Sequence, residues 1–116
     1  MGSRLRKQPA KLEKKVDQTF YLTGKRRGAI LKEEAWFAGE KLVKYSLAYI
    51  NHRICTADNG RVLGYDNSHN QHHRHYMGRA GAIEFVDYES LVEQFEREVK
   101  DLWRREDEAE DGRAHV

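Results

Sequence analysis

Four histidines fall within seven positions of the chain, in the stretch "HNQHHRHYMGR" at residues 69–79. Imidazole titrates near neutral pH, so two histidines can share proton transfer, one removing a proton from a hydroxyl and the other protonating a leaving oxygen. Alternate residues of an extended strand share a face, which would put His73 and His75 on one side, about 6.5 to 7 Å apart. Two imidazoles so placed could flank a bound phosphodiester and cleave it without a metal.

Cationic residues near this pair are candidates for holding the phosphate and stabilising its charge. Arg74 lies between the two histidines and has a planar guanidinium that matches a phosphate, although a regular strand would turn it to the other face. Lys44, Arg61 and Arg79 are further candidates for stabilising a pentacoordinate phosphorus. We predict a catalytic set of His73, His75, Arg74 and Lys44, with Arg61 and Arg79 as substrate-binding residues.

Two other interpretations of the cluster stay open. Zinc takes about four ligands, and His69, His72, His73 and His75 would supply them, although none of the standard zinc modules has this spacing. Alternatively, the cluster is a solvated polar loop that has no chemical role. We expect neither a metal nor another cofactor.

The elements that must position these residues are a set of strands followed by one helix. Alternation places Val43, Tyr45, Leu47 and Tyr49 on one face of a half-buried strand. Gly64, within another strand pattern, indicates a bulge or a close approach of the chain. Glycines in "GRAG" indicate a break at residues 78–81. The predicted strands cover residues 19–22, 29–37, 42–50, 61–67 and 83–86.

The clearest element is a C-terminal helix that Asp87 can cap. Its apolar residues recur at helical spacing and form one stripe: Tyr88, Leu91, Val92, Phe95, Val99, Leu102 and Trp103. We therefore predict an α+β fold, a mainly antiparallel sheet of four to six strands with one long amphipathic helix packed on one face.

Length and charge set the domain organisation. The 116 residues suffice for one domain, which we place at residues 16–105. A formal net charge of +2 hides a basic arm at residues 1–15, either flexible or a short helix, and an acidic tail at 106–116 that we expect to be disordered. A single cysteine excludes an internal disulfide, and no apolar run is long enough to span a bilayer. A cytoplasmic protein is the natural expectation.

The central motifs carry a family resemblance. "KYSLAYI" (44–50), "GRVLGYDN" (60–67), "HHRHYMG" (72–78) and the helix that follows resemble the TumE-type toxin components of bacterial toxin–antitoxin systems, over residues 28–103. The family more often has a glycine-rich loop where this chain reads "HNQHHRH", which favours a related branch. The resemblance implies a toxin that cleaves or binds RNA, and an endoribonuclease is the function that we expect first. It carries over Lys44, Tyr65, Asp66, Asn67, His73, Arg74 and His75, with Tyr65, Asp66 and Asn67 binding substrate.

The resemblance also implies partners. These are RNA and a cognate antitoxin, commonly a helix-turn-helix protein, with no membrane association. Two alternative functions stay open, a non-catalytic module that binds RNA or protein and a protein that binds metal through the histidine cluster. The sequence leaves monomer and homodimer equally open, since sheet edges and apolar helix stripes both permit pairing.

Overall fold

The computed structural model describes residues 10–114 and contains one antiparallel sheet and one long helix. The strands are β1 (Leu12–Tyr21), β2 (Ile30–Ala38), β3 (Lys41–Ile50), β4 (Arg61–Asp66), β5 (His73–Tyr76) and β6 (Arg79–Ala82), and the helix is α1 (Tyr88–Ala114). Strands that follow each other in the chain pair with each other, so the sheet is a simple six-stranded meander. The predicted α+β fold is confirmed.

The two faces of the sheet differ in what lies on them. The helix face is the side on which α1 packs across β3 and β4, and it buries Tyr45, Leu47 and Tyr49, as the alternation in β3 predicts. The open face is the opposite side, and no helix or strand within residues 10–114 covers it. Its central residues are Trp36, Lys44, Ser46, Gly64, Asp66, His73 and His75.

The predicted apolar stripe attaches α1 to the helix face. Leu91, Phe95, Val99 and Leu102 are all buried there. The predicted cap is confirmed, because the Asp87 carboxylate accepts a hydrogen bond from the backbone N–H of Ser90 at 2.7 Å. The helix is therefore fixed at its start and along one side.

Bulges in β3 and β4 move side chains away from simple alternation, and a third register shift lies in β1 between Lys14 and Val16. In β3, Leu42 and Lys44 pair with consecutive residues of β2, which leaves Val43 as the extra residue. Val43 is consequently 43% exposed, against the prediction that it shares the buried face, and Leu42 packs against the core instead. In β4, Val62 is the extra residue between Arg61 and the rest of the strand.

The segment after the histidines differs from the prediction. Most of the expected break at residues 78–81 belongs to β6, which pairs with β5 through a tight turn where Met77 and Gly78 both have positive φ. The expected strand at residues 83–86 is not formed, because the chain leaves the sheet there. Phe85 instead packs against the core and stacks on His72.

Both ends of the predicted domain also change. Residues 1–9 of the predicted basic arm lie outside the described residues, and residues 12–15 belong to β1. The tail that we expected to be disordered is helical as far as Ala114, while residues 115–116 lie outside the described part. Charge alone suggested a solvated tail, but Glu106 accepts a hydrogen bond from Tyr49 and pairs with Arg26, which fixes this end of α1.

Candidate active site

His73, His75 and Asp66 come together on the open face where β4 and β5 pair. Asp66 stands opposite His73 in the register, and Gly64 stands opposite His75. Nε2 of His75 lies 2.9 Å from Oδ2 of Asp66, and Nδ1 of His73 lies 3.8 Å from Oδ1. The two ring centroids are 6.1 Å apart. The structure thus brings two imidazoles of the predicted set against a single carboxylate.

Arg61 reaches the same carboxylate from the start of β4. Because Val62 is bulged, the Arg61 side chain lies over Gly64, where a Cβ atom would be 2.5 Å from Cδ of the arginine. Nη1 of Arg61 donates to Oδ2 of Asp66 at 3.2 Å, and its Nε donates to Oδ2 of Asp58 at 2.7 Å. The glycine therefore leaves open the path along which the guanidinium reaches Asp66.

Asp66 is the central acidic group of this cluster. Its side chain is only 12% exposed, and burial alone would raise the pKa of its carboxyl. The N–H and hydroxyl of Ser68 and the electrostatic attraction of His75 and Arg61 outweigh burial and lower that pKa below its ordinary value. Asp66 is accordingly a carboxylate at neutral pH, able to orient the imidazoles beside it.

Arg74 and Tyr65 of the predicted set lie on the helix face, away from the histidine pair. Nε of Arg74 donates to both carboxylate oxygens of Glu98 on α1, at 3.2 and 3.1 Å. The Tyr65 hydroxyl donates to the same carboxylate. Burial raises the pKa of Glu98, but its bonds to Arg74 and Tyr65 prevail and lower it. These residues fasten the helix to the sheet.

His72 and His69 are also separated from the pair, so the four histidines do not form one metal site. His72 stacks on Phe85 with centroids 4.1 Å apart, and its Nδ1 lies 2.9 Å from the hydroxyl of Tyr45 in the core. His69 is exposed in a short turn with φ of +58°. Adjacent residues of an extended chain point to opposite faces, which explains why His72 lies against the core and His73 lies on the open face.

Asn67 has a structural position at the end of β4. Its Nδ2 donates to the carbonyl of Val43 at 2.9 Å, and its Oδ1 accepts the N–H of Tyr45 at 3.0 Å. The amide thus satisfies the backbone groups that the bulge in β3 frees. Its contacts with the backbone of β3 hold the end of β4 against that strand.

The family model described as Toxin TumE matches residues 4–103, which is most of the chain. The chain belongs to the TumE toxin family. Neither a curated protein nor a solved structure matches it significantly. Membership indicates a toxin function for this TumE-family chain and implies an antitoxin partner. None of its described helices is both long and apolar enough to cross a membrane.

The open face of this TumE-family chain carries a feature that the sequence analysis did not assign, an aromatic surface at Trp36. The side chains of Lys14 and Lys44 each place Nζ 4.9 Å from the centre of the indole ring. The predicted catalytic Lys44 is therefore on the same face as the histidines but next to Trp36. Arg79 is exposed on β6 opposite Tyr76, and Tyr76 packs against the core on the helix face, so Arg79 is not beside the histidine pair. Trp36 lies next to Lys44 only because β2 pairs with β3, and a sequence alone does not show which strands pair.

Asp66, His73 and His75 also have the composition of a metal site. One donor atom from each lies within 4.8 Å of the other two. The close contact of His75 with Asp66 lacks hydrogen-bond geometry, and Nε2 of His75, shielded from solvent, has no hydrogen-bond partner among the described residues. Two imidazoles and a carboxylate are a donor set that suits divalent transition metals. The metal ligands that the structure allows are therefore Asp66, His73 and His75, and not the four histidines of the cluster.

Proposed function

We propose that this TumE-family toxin is an endoribonuclease that uses His73 and His75 as general base and general acid. The observation that carries the proposal is the pair of imidazoles, 6.1 Å apart and facing one carboxylate on the open face. Two rings at this separation can contact one phosphodiester from two sides. Arg61 lies on the same face and supplies the positive charge that such a site requires.

The reaction requires two proton transfers around one phosphorus. One imidazole removes the proton of a ribose 2′-OH, and the 2′ oxygen then forms a bond to phosphorus. The bond from phosphorus to the 5′ oxygen breaks, and the second imidazole protonates that oxygen. The products are a 2′,3′-cyclic phosphate and a free 5′-OH. Because the nucleophile is the 2′-OH, the substrate is RNA and not DNA.

Asp66 and Arg61 have separate roles in this proposal. Asp66 faces Nε2 of His75 and Nδ1 of His73, which leaves the other nitrogen of each ring for the substrate. Arg61 binds its two carboxylates through Nε and Nη1, which leaves Nη2 for a phosphate oxygen. Arg61 thus takes the role that we first gave to Arg74, whose guanidinium holds α1 instead.

The test is cleavage of an end-labelled RNA pool by purified protein, with and without EDTA. We expect cleavage by the wild type in both conditions and its loss by a factor of about 10² or more in His73→Ala and in His75→Ala. The matched control is His69→Asn, because His69 is an exposed member of the same cluster and asparagine tolerates its positive φ. Product ends should be 2′,3′-cyclic phosphates.

The same proteins distinguish an enzyme from a binding module. If His73→Ala and His75→Ala stop cleavage but still retard RNA on a gel, the histidines act in chemistry. Wild-type protein that binds RNA tightly and leaves it intact, also in a translating cell extract, would contradict the enzyme and favour a non-catalytic RNA-binding module. Equal cleavage by all four proteins would remove the proposed site.

A metal-dependent hydrolase is the second candidate, favoured by Nε2 of His75, which has no hydrogen-bond partner within residues 10–114. Asp66, His73 and His75 would hold the ion, which would supply a Lewis acid and a water of lowered pKa. This candidate forecasts one bound transition metal per chain, activity that EDTA abolishes, and loss of metal in His73→Ala. The metal-free proposal forecasts activity that survives EDTA.

The partners follow from the toxin function. We propose that RNA is the target and that a helix-turn-helix antitoxin, acting in the cytoplasm, is the inhibitor. Expression of the toxin alone should arrest growth, and co-expression of such an antitoxin should relieve the arrest and give a complex that co-purifies. Strands β1 and β6 are the outer strands of the sheet that residues 10–114 form, and either would allow a homodimer by strand pairing.

A further inference from the structure

Trp36 is a half-buried aromatic residue on the open face, between two lysines. Its indole ring lies under Nζ of Lys14 and Nζ of Lys44, each 4.9 Å from the ring centre. Nothing in the proposed cleavage chemistry uses this residue. A planar ring on an uncovered sheet face beside positive charges is the arrangement with which proteins hold single-stranded nucleic acid, by stacking bases and pairing phosphates.

The strand register places this surface beside the histidine pair. Trp36 pairs with Lys44, Ser46 lies two residues further along β3, and Ser46 pairs with Asp66. Trp36 is therefore two strand spacings and two residues away from Asp66. These steps amount to roughly 12 Å between Cα positions. A base on Trp36 would belong to a nucleotide close to the scissile phosphate but separate from it.

The two lysines differ in what else they contact. Lys14 is held by ion pairs with Glu34 at 2.6 Å and Asp17 at 3.3 Å. Lys44 is exposed, and among the described residues its ammonium pairs with no carboxylate. Lys44 can therefore leave the indole ring at little cost and move to a phosphate, whereas Lys14 stays. One side of the ring is available to a base.

We propose that Trp36 is a stacking site for a base of the RNA substrate, next to the cleaved bond, and that Lys44 moves from the indole ring to a flanking phosphate when the base binds. The proposal rests on the proposed RNA-directed function and adds a substrate subsite to it. A sequence-tolerant contact is expected, because every base presents a π face. Lys44 is in this arrangement a binding residue and not a member of the acid–base group.

Fluorescence tests the stacking directly, because the chain has only two tryptophans. In Trp103→Phe protein the remaining tryptophan is Trp36, and the probe is a 2′-O-methyl oligoribonucleotide pool that has no nucleophile and cannot be cleaved. We expect saturable quenching by this pool and much weaker quenching by an abasic backbone of equal length. In the otherwise wild-type chain, Trp36→Ala should weaken binding of the pool roughly 5- to 150-fold, and Trp36→Phe should restore most of it.

The outcomes separate this proposal from the proposed function. Absence of quenching, or equal affinity of Trp36→Ala and wild type for the pool, overturns the stacking site even if RNA is cleaved. Quenching by base-bearing but not abasic strands, with cleavage unaffected in His73→Ala and His75→Ala, supports the stacking site and removes the histidine chemistry. A folded Trp36→Ala protein, verified by circular dichroism, makes each comparison valid.

Discussion

Replacement of Gly64 by alanine is the sharpest test of how the site is built. Gly64 has no positive φ, so the backbone of β4 accepts alanine. In an ordinary strand, exchange of glycine for alanine raises the free energy of unfolding by about 0.5 to 1 kcal/mol, because the unfolded chain loses freedom. Here the new Cβ would meet Cδ of Arg61 at 2.5 Å, closer than two carbon atoms that are not bonded to each other can approach.

The arginine must therefore leave its position over the strand. It then loses its bond to Asp66, a contact between side chains only 19% and 12% exposed. A hydrogen bond between charged groups contributes about 1.5 to 3 kcal/mol. After subtraction of the gain from alanine, we expect Gly64→Ala to lower the free energy of unfolding by about 1 to 2 kcal/mol. RNA cleavage should fall together with it, because the guanidinium no longer faces the histidines.

The assay is a double-mutant cycle with Arg61→Ala, measured by urea denaturation at neutral pH. Once the arginine is removed, Gly64→Ala should stabilise the protein by about 0.5 to 1 kcal/mol, so the effect changes sign. Gly81→Ala is the matched control, since a Cβ there meets nothing within 4 Å and should stabilise both backgrounds alike. If Gly64→Ala has the same sign and size with and without Arg61, the account of this glycine is refuted.

Three further predictions concern the helix anchor and acidity. Glu98→Gln should lower the free energy of unfolding by about 1 to 2 kcal/mol, because Arg74 and Tyr65 lose a charged acceptor, whereas exposed Glu96→Gln should change it little in the same urea experiment. Arg74→Ala should destabilise similarly but leave the cleavage rate per folded molecule nearly unchanged, because the stacking of His72 on Phe85 still holds the register of β5. A drop as large as that of Arg61→Ala would contradict the structural role. The folded pKa of Glu98 is lowered below 4.5, so its contribution is fully present above that pH and disappears as the pH falls through the folded pKa. The stability difference between wild type and Glu98→Gln should accordingly shrink on acidification, and a difference that is constant from pH 7 to about 3 would disprove the linkage.

Periodicity predicted the parts of the fold that depend on neighbouring residues. The alternation in β3 predicted the burial of Tyr45, Leu47 and Tyr49, and the helical stripe predicted how α1 packs, because both depend on spacing along one element. The bulge at Val43 could not be predicted this way, since it depends on where the pairing with β2 slips. The helical end of α1 was missed for a similar reason, as Glu106 finds its partners 57 and 80 positions away.

The candidate site also contains residues that local spacing predicts and residues whose place depends on strand pairing. The common face of His73 and His75 follows from the two-residue period of a strand. Arg61 was only one cation among several in the sequence, because its place beside Asp66 depends on the bulge at Val62 and on the missing side chain of Gly64. The strand position of Gly64 did signal a close approach. What approaches it, an arginine from its own strand, is visible only in three dimensions.

The alternation of β5 explains why one short strand contains both structural and chemical residues. His72 stacks against the core just before the strand, and Arg74 binds Glu98 on the helix, so these two fix the register of a four-residue strand that lies between β4 and the short strand β6. A slip by one residue would exchange the faces, turning Arg74 outward and the histidine pair inward. The anchors on the helix face therefore keep His73 and His75 against Asp66. In this way the packing of α1 and the geometry of the open face are coupled, although the helix contributes no residue to the candidate site.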